Sequence, residues 1–171
     1  EGFEPLPTDT VRDLVGKGMV NLLTRALKLC GAPTRDDAAM AVMLQRYQHH
    51  YAAVLGRETV AYDGVMDALA QLHAEGYKLA VVTNKATRFV RPHLELAGMQ
   101  HYFASVVGGD DASAKKPDAA PLLLAAQQLG VAPGRLLMVG DSANDIDAAR
   151  AAGCPALAVP YGYTEGRPVQ S

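Results

Sequence analysis

From Pro7 to about Arg57 the apolar residues recur at helical spacing, and no run alternates with the period of two that marks a half-buried strand. Val11, Leu14, Val15, Met19, Leu22, Leu23, Ala26 and Leu29 form one stripe, interrupted at Gly16-Lys17-Gly18 and ended by Gly31 and Pro33. Thr34 with the acids Asp36 and Asp37 behind it predicts an N-cap and a first turn, opening a second helix through Met43, Tyr47 and Val54 to Gly56. After Tyr62 the pattern changes to short Val, Leu and Ala runs alternating with helical stretches. Strands are predicted over Lys78 to Val82, Ala104 to Val107, Arg135 to Val139 and Pro155 to Val159. Helices are predicted over Asp63 to Ala74, after the strand ending at Val82 and through Leu96 with Pro92 early in it or kinking it, over Pro117 to Leu129 and over Asn144 to Ala152. Near-continuous apolar strands separated by helices predict a parallel sheet covered on both faces. The fold class is therefore α/β, with a doubly wound parallel core over residues 61–171 and a small all-helical domain over residues 1–60. Tyr161 to Ser171 is expected to be a loop or tail.

A length of 171 residues suits about one domain with a small insert. Sixteen Lys and Arg against eighteen Asp and Glu leave a net charge of −2, with no basic excess to hold a nucleic-acid backbone. No apolar stretch reaches the length of a membrane span, and Glu1 to Thr10 lacks the basic and apolar zones of a signal peptide. Cys30 and Cys154 lie too far apart in the chain to suggest a disulfide framework. These features predict a cytoplasmic protein with neither a nucleic-acid nor a membrane partner.

In an open parallel sheet, ligands bind beyond the carboxyl ends of the strands. Three such junctions are polar in a way packing does not require. Thr83-Asn84-Lys85 follows a buried strand and presents a hydroxyl, an amide and an ammonium where a helix start would favour an anion; a plain capping role for Thr83 explains the same residues equally well. Lys115-Lys116-Pro117-Asp118 holds Lys116 at a stiff junction, although solvated lysines are the ordinary alternative. In Gly140-Asp141-Ser142-Ala143-Asn144-Asp145, Asp141 ends a strand, Ser142 can cap the next helix and Asp145 lies in its first turn. Two carboxylates four residues apart can hold Mg²⁺ together with waters and phosphate oxygens, or can simply enrich a helix start in acid. His49 and His50 fall beside Tyr47 and Tyr51 on a predicted helix and suit surface packing; His73, His93 and His101 stand isolated in sequence.

In this order, the three junctions resemble the second, third and fourth motifs of the haloacid dehalogenase superfamily of phosphohydrolases. The resemblance narrows to phosphoglycolate phosphatases through Val82-Thr83-Asn84-Lys85, Val107-Gly108-Gly109-Asp110, Lys116-Pro117-Asp118-Ala119-Ala120-Pro121, Gly140-Asp141-Ser142-x-Asn144-Asp145 and Tyr161-Gly162-Tyr163. The helical segment, with Val15-Gly16-Lys17-Gly18 and Arg25-Ala26-Leu27, resembles that family's cap. The family begins with a central strand ending in Asp-x-Asp-Gly-Thr, whose first Asp attacks phosphorus, and the 171 residues contain no such motif. Asp145-Ile146-Asp147 has the spacing but a helical setting, and Asp110-Asp111 has neither the spacing nor the glycine. The expectation is a truncated form whose first core strand is missing and which is inactive alone.

The resemblance implies a Mg²⁺-dependent phosphomonoesterase that works on a small phosphoester, 2-phosphoglycolate first, through an aspartyl-phosphate. It implies Asp141 and Asp145 as metal-binding residues, Thr83 and the Asn84 N–H on the phosphoryl oxygens, and Lys116 bridging nucleophile and phosphate. Lys17 is the candidate for a substrate carboxylate, with a solvated loop lysine as the alternative. Other phosphatase, pyrophosphatase and sugar-phosphate mutase activities share this framework, and a phosphate- or partner-binding relic without turnover is a further alternative. A phospho-acceptor receiver domain is disfavoured, because there the acids precede the Thr and Lys, whereas here the order is Thr83, Lys116, Asp141.

Overall fold

A computed structural model describes residues 3–32 and 36–162. Pro33, Thr34 and Tyr163 lie outside the described residues. Three helices come first, α1 (Thr8–Arg12), α2 (Met19–Leu29) and α3 (Asp37–Val54). They are followed by α4 (Val65–Ala74), β1 (Leu79–Val82), α5 (Thr87–Leu96), β2 (Phe103–Val107), α6 (Ala120–Leu129), β3 (Met138–Gly140), α7 (Ala143–Ala152) and β4 (Ala156–Ala158). Single 3₁₀ turns at Gln100–Tyr102 and Pro133–Arg135 lead into β2 and precede β3. None of the described helices is long and apolar enough to cross a membrane.

Local chemistry sets the element ends. The residue that caps α3 is Asp36, whose side chain accepts from Ala39 N at 2.7 Å. Ser142 and Asp145 form a reciprocal capping box on α7, and Gly153 closes that helix in the left-handed conformation at φ +69°. Two starts differ from expectation. Helix α5 begins at Thr87 with Ala86 as its N-cap, so Thr83 is not the helix cap. Pro117 lies ahead of α6, in a cis peptide with Lys116, and Asp118 Oδ1 accepts from Ala120 N at 2.8 Å where the helix opens.

The α/β class with parallel strands stands. Among the described residues, however, the strands form two parallel pairs in place of one continuous ladder: β1 with β2, aligning Val82 with Val107, and β3 with β4, aligning Val139 with Leu157. Helix α6 packs on β1, β2 and α7, while α7 packs on β3 and β4. Leu122, Met138, Ala148, Ala149 and Cys154 make the buried cluster between them, bordered by Val82, Leu136 and Ala152. The other face of β3 and β4 is open, contrary to a sheet covered on both sides. Leu137, Val139 and Leu157 are 58%, 52% and 55% exposed, because no described element lies over them as α7 lies over Met138. Of the predicted stripe Leu14 becomes buried while Val11 and Leu29 face outward; Leu27, which lies outside the stripe, is buried in α2, and Val20 is exposed. The α2 and α3 layer has a packed side and an unpacked one.

Candidate functional site

At the end of β1 the ladder continues through Thr83 N, which donates to Val107 O at 2.9 Å, and the chain then turns over its own hydroxyl as Lys85 N donates to Thr83 Oγ1 at 3.2 Å. The loop after β2 lies against this turn. A Cβ on Gly109 would stand 2.5 Å from Asn84 O, so only glycine permits the approach. Asp110 and Asp111 are occupied in building this loop. Thr87 N donates to Asp110 Oδ2 at 3.1 Å, Asp110 N donates to Thr87 Oγ1 at 3.3 Å, and Gly108 N donates to Asp111 Oδ2 at 2.7 Å.

Lys116 enters from the loop before α6 with only 9% of its surface exposed. Its Nζ donates to Val82 O at 2.6 Å and to Asp145 Oδ1 at 2.6 Å, so one ammonium joins the end of β1 to the first turn of α7. The backbone of residue 116 is held by Asn84. Lys116 N donates to Asn84 Oδ1 at 2.9 Å, and Asn84 Nδ2 donates to Lys116 O at 2.9 Å. A lysine with a free side chain would sample many rotamers; this one is fixed at both ends.

Beyond β3, the second carboxylate oxygen of Asp145 accepts from Asp141 N at 3.2 Å, Ser142 N at 3.1 Å and Ser142 Oγ at 2.8 Å. Burial by itself would raise the Asp145 carboxyl, but the Lys116 ammonium and the Ser142 hydrogen bonds outweigh it and hold the group below its ordinary value. Both Asp145 oxygens are thus engaged, and the carboxylate serves as the hub that orders Asp141, Ser142 and Lys116. A Cβ on Gly140 would run into the Asp145 carboxylate, and one on Gly162 into that of Asp141, so both turns lie flush on the acids. The Asp141 carboxylate is the hard oxygen donor next to this hub, and such a donor set suits Mg²⁺.

Thr83, Asn84, Lys116, Asp141 and Asp145 therefore gather at the carboxyl ends of β1 and β3. Lys17 is exposed, on the loop between α1 and α2. That loop docks beside the group, since Asn84 Nδ2 donates to Gly16 O at 3.0 Å. Two arrangements have no signature in the local sequence pattern. The first is this use of the Asn84 side chain, whose partners lie too far along the chain for any local pattern to show. The second corrects the reading of His93 as isolated: Lys85 Nζ contacts His93 Nδ1, His93 Nε2 meets Thr59 Oγ1 at 2.7 Å, and Lys85 Nζ lies 5.4 Å from the Tyr51 ring centre. Desolvation lowers Lys85 to about 8, and desolvation followed by the Lys85 charge lowers His93. The ammonium of Lys85 thus turns toward α3 and α5. Tyr51 also meets Phe89 edge-on at 5.1 Å, which fastens α3 to α5 beside an open cleft of about 370 Å³ lined by Gln45, Gln48, His49 and Arg88.

This arrangement has known counterparts. Residues 1–159 match the family of haloacid dehalogenase-like hydrolases. A phosphoglycolate phosphatase of Thiobacillus denitrificans is 42% identical over 166 residues, covering 96% of the chain and 73% of the relative. One from Nitrosospira multiformis is 45% identical over 170 residues, covering 98% and 74%. The crystal structure of a predicted phosphoglycolate phosphatase from Haemophilus somnus superposes with a TM-score of 0.90 at 32% identity, over 98% of this chain and 76% of that one. With its motifs gathered at one end of the strands and its sequence aligned almost throughout, the chain belongs to the haloacid dehalogenase-like hydrolases, and to the phosphatases among them.

Proposed function

We propose that these residues form the phosphate-gripping and metal-holding part of a Mg²⁺-dependent phosphatase for 2-phosphoglycolate. The observation that carries this reading is the Lys116 ammonium, buried and aimed between Val82 O and Asp145 at the strand ends where Thr83 and Asp141 also lie. The relatives named above as phosphoglycolate phosphatases support the substrate. Thr83 Oγ1 and the Asn84 N–H bind phosphoryl oxygens, and Lys116 offsets the charge between an attacking carboxylate and the phosphoryl dianion. Asp141 holds Mg²⁺, with Asp145 anchoring its surroundings, and the ion when bound supplies further neutralisation of the phosphoryl charge. An aspartate carboxylate attacks phosphorus, the glycolate oxygen leaves, and water then hydrolyses the aspartyl-phosphate to phosphate and free carboxylate. That aspartate is not among the 171 residues, in which no Asp-x-Asp-Gly-Thr run occurs. Residues 1–60 act as the cap that excludes water over the site, residues 61–171 as the core, and Lys17 meets the substrate carboxylate.

The test joins a strand carrying Asp-x-Asp-Gly-Thr to the N terminus and measures phosphate release from 2-phosphoglycolate and from phosphoesters without a carboxylate. The joined protein is expected to turn over, and the 171-residue chain alone to bind phosphate without releasing any. In the joined protein Lys116→Ala and Asp141→Asn should each cost about two orders of magnitude or more in rate, the scale of a lost preorganised charge partner. Near-normal turnover in either would refute the assignment, and an unchanged preference for carboxylated esters in Lys17→Ala would remove Lys17 from it.

A further inference from the structure

We propose that the Asn84 carboxamide is a latch that ties the Gly16-Lys17-Gly18 loop to the segment carrying Lys116, so that seating of the loop and seating of the lysine are one event. The proposal rests on the phosphatase reading for its purpose, but its geometry stands by itself. Asn84 is 6% exposed and makes contacts in two directions. Toward the core, Oδ1 accepts from Lys116 N and Nδ2 donates to Lys116 O, both at 2.9 Å, so that a side chain pairs with residue 116 as a neighbouring strand would. Toward the helical segment, the second Nδ2 hydrogen goes to Gly16 O at 3.0 Å, across 68 positions of sequence. Both amide hydrogens are thereby used, and rotating the amide would set its oxygen against two carbonyls, so a single orientation satisfies the site.

The loop fits closely on this point. A Cβ on Gly18, whose φ is +83°, would stand 3.1 Å from Lys115 Nζ and 3.4 Å from Asn84 O. When the loop lifts, a buried N–H loses its acceptor, and the same amide then holds residue 116 less firmly. When the loop is down, Lys17 is carried to the site and Lys116 is braced through its backbone. Asn84 is thus a positioning residue through its side chain, beyond whatever its backbone N–H contributes to phosphate binding.

Hydrogen exchange on the 171-residue chain tests this, with residues 14–19 as the reporter, residues 147–152 of α7, beyond the Asp145 that Lys116 touches, as the control, and Mg²⁺ with inorganic phosphate as the probe. In Asn84→Ala the loop should exchange about tenfold faster or more while α7 keeps its protection, and phosphate should no longer slow the loop as it does in the parent. Loop exchange equal to the parent's would overturn the latch. So would a uniform acceleration that includes α7, which marks a merely structural role. If Asn84→Ala does not fold, Gly18→Val approaches from the loop side, leaving the amide intact: faster exchange at the Lys116 amide supports the latch, and an unchanged Lys116 amide refutes it. Failure of the parent to bind phosphate would count against the phosphatase reading, and the comparison of loop exchange without phosphate would still decide the latch.

Discussion

Lys116 and Asp145 form a buried ion pair at 2.6 Å, with side chains 9% and 6% exposed. Removing Lys116 leaves the buried Asp145 carboxylate without its counter-charge, so Lys116→Met should lower unfolding stability by about 3 to 5 kcal/mol in urea denaturation. A loss below about 1 kcal/mol would show a pair already screened by water. Lys85 is the opposite case, a cation half-buried against a neutral imidazole. Its Nζ donates to His93 Nδ1, which leaves the proton on Nε2 to meet Thr59 Oγ1. Because burial lowers Lys85 to about 8, the unfolded chain binds more protons between that value and 10.5, and stability should rise with pH across that window. His93 is also held below its ordinary value, so stability should fall again as pH drops below 6.5. Lys85→Met should stabilise at pH 7, with the advantage shrinking toward pH 10.5; a pH-independent difference in thermal midpoint would exclude the account. Lys116 could be found from its place before Pro117 and after a predicted strand. The Lys85, His93 and Thr59 contact could not, because it joins residues that share no local periodicity.

Among the elements, α6 shows how a sequence stripe becomes a core. Leu122, Ala125, Ala126 and Leu129 recur at three- and four-residue spacing, and all are buried beneath β1, β2 and α7. Leu122 has no exposed surface, while its neighbour Leu123 is 43% exposed. Leu122→Ala should therefore cost about 2 to 5 kcal/mol, the range for an emptied core position, and Leu123→Ala about 0.5 kcal/mol or less. Equal losses at the two positions, measured by denaturant midpoint, would mean that α6 presents a different face. In α3 the same kind of reading misleads. Met43 and Tyr47 are only partly covered and Val54 is exposed, because a stripe buries residues only where another element lies over it. Helix existence was legible at both places; burial depended on neighbours that helical spacing does not specify. The start of α5 illustrates the same limit, since Thr83 has the chemistry of a cap but its hydroxyl is used by the turn to Lys85.

At the scale of the whole molecule, the two strand pairs are the main departure from the pattern the sequence predicts. Parallel sheets are ordinarily continuous and covered on both faces, yet among the described residues β1 pairs with β2 alone and β3 with β4 alone. The Lys116 ammonium connects the halves through Val82 O and Asp145, where backbone hydrogen bonds would normally do so. Sequence patterning counted the strands correctly but carried no information on which edges pair, since every strand in a buried parallel sheet reads as the same apolar run. If the family's Asp-x-Asp-Gly-Thr strand pairs with both β1 and β3, joining it to the N terminus should do more than supply a nucleophile. It should protect the amides of β1 and β3 from exchange and raise the thermal midpoint by about 5 °C or more, since 1 kcal/mol corresponds to about 2 to 4 °C in a domain of this size. Protection confined to β1 would place the added strand on one edge only. An unchanged midpoint with unchanged exchange in both strands would show that the two halves are complete as they stand, joined by Lys116 and packed through α6 and α7.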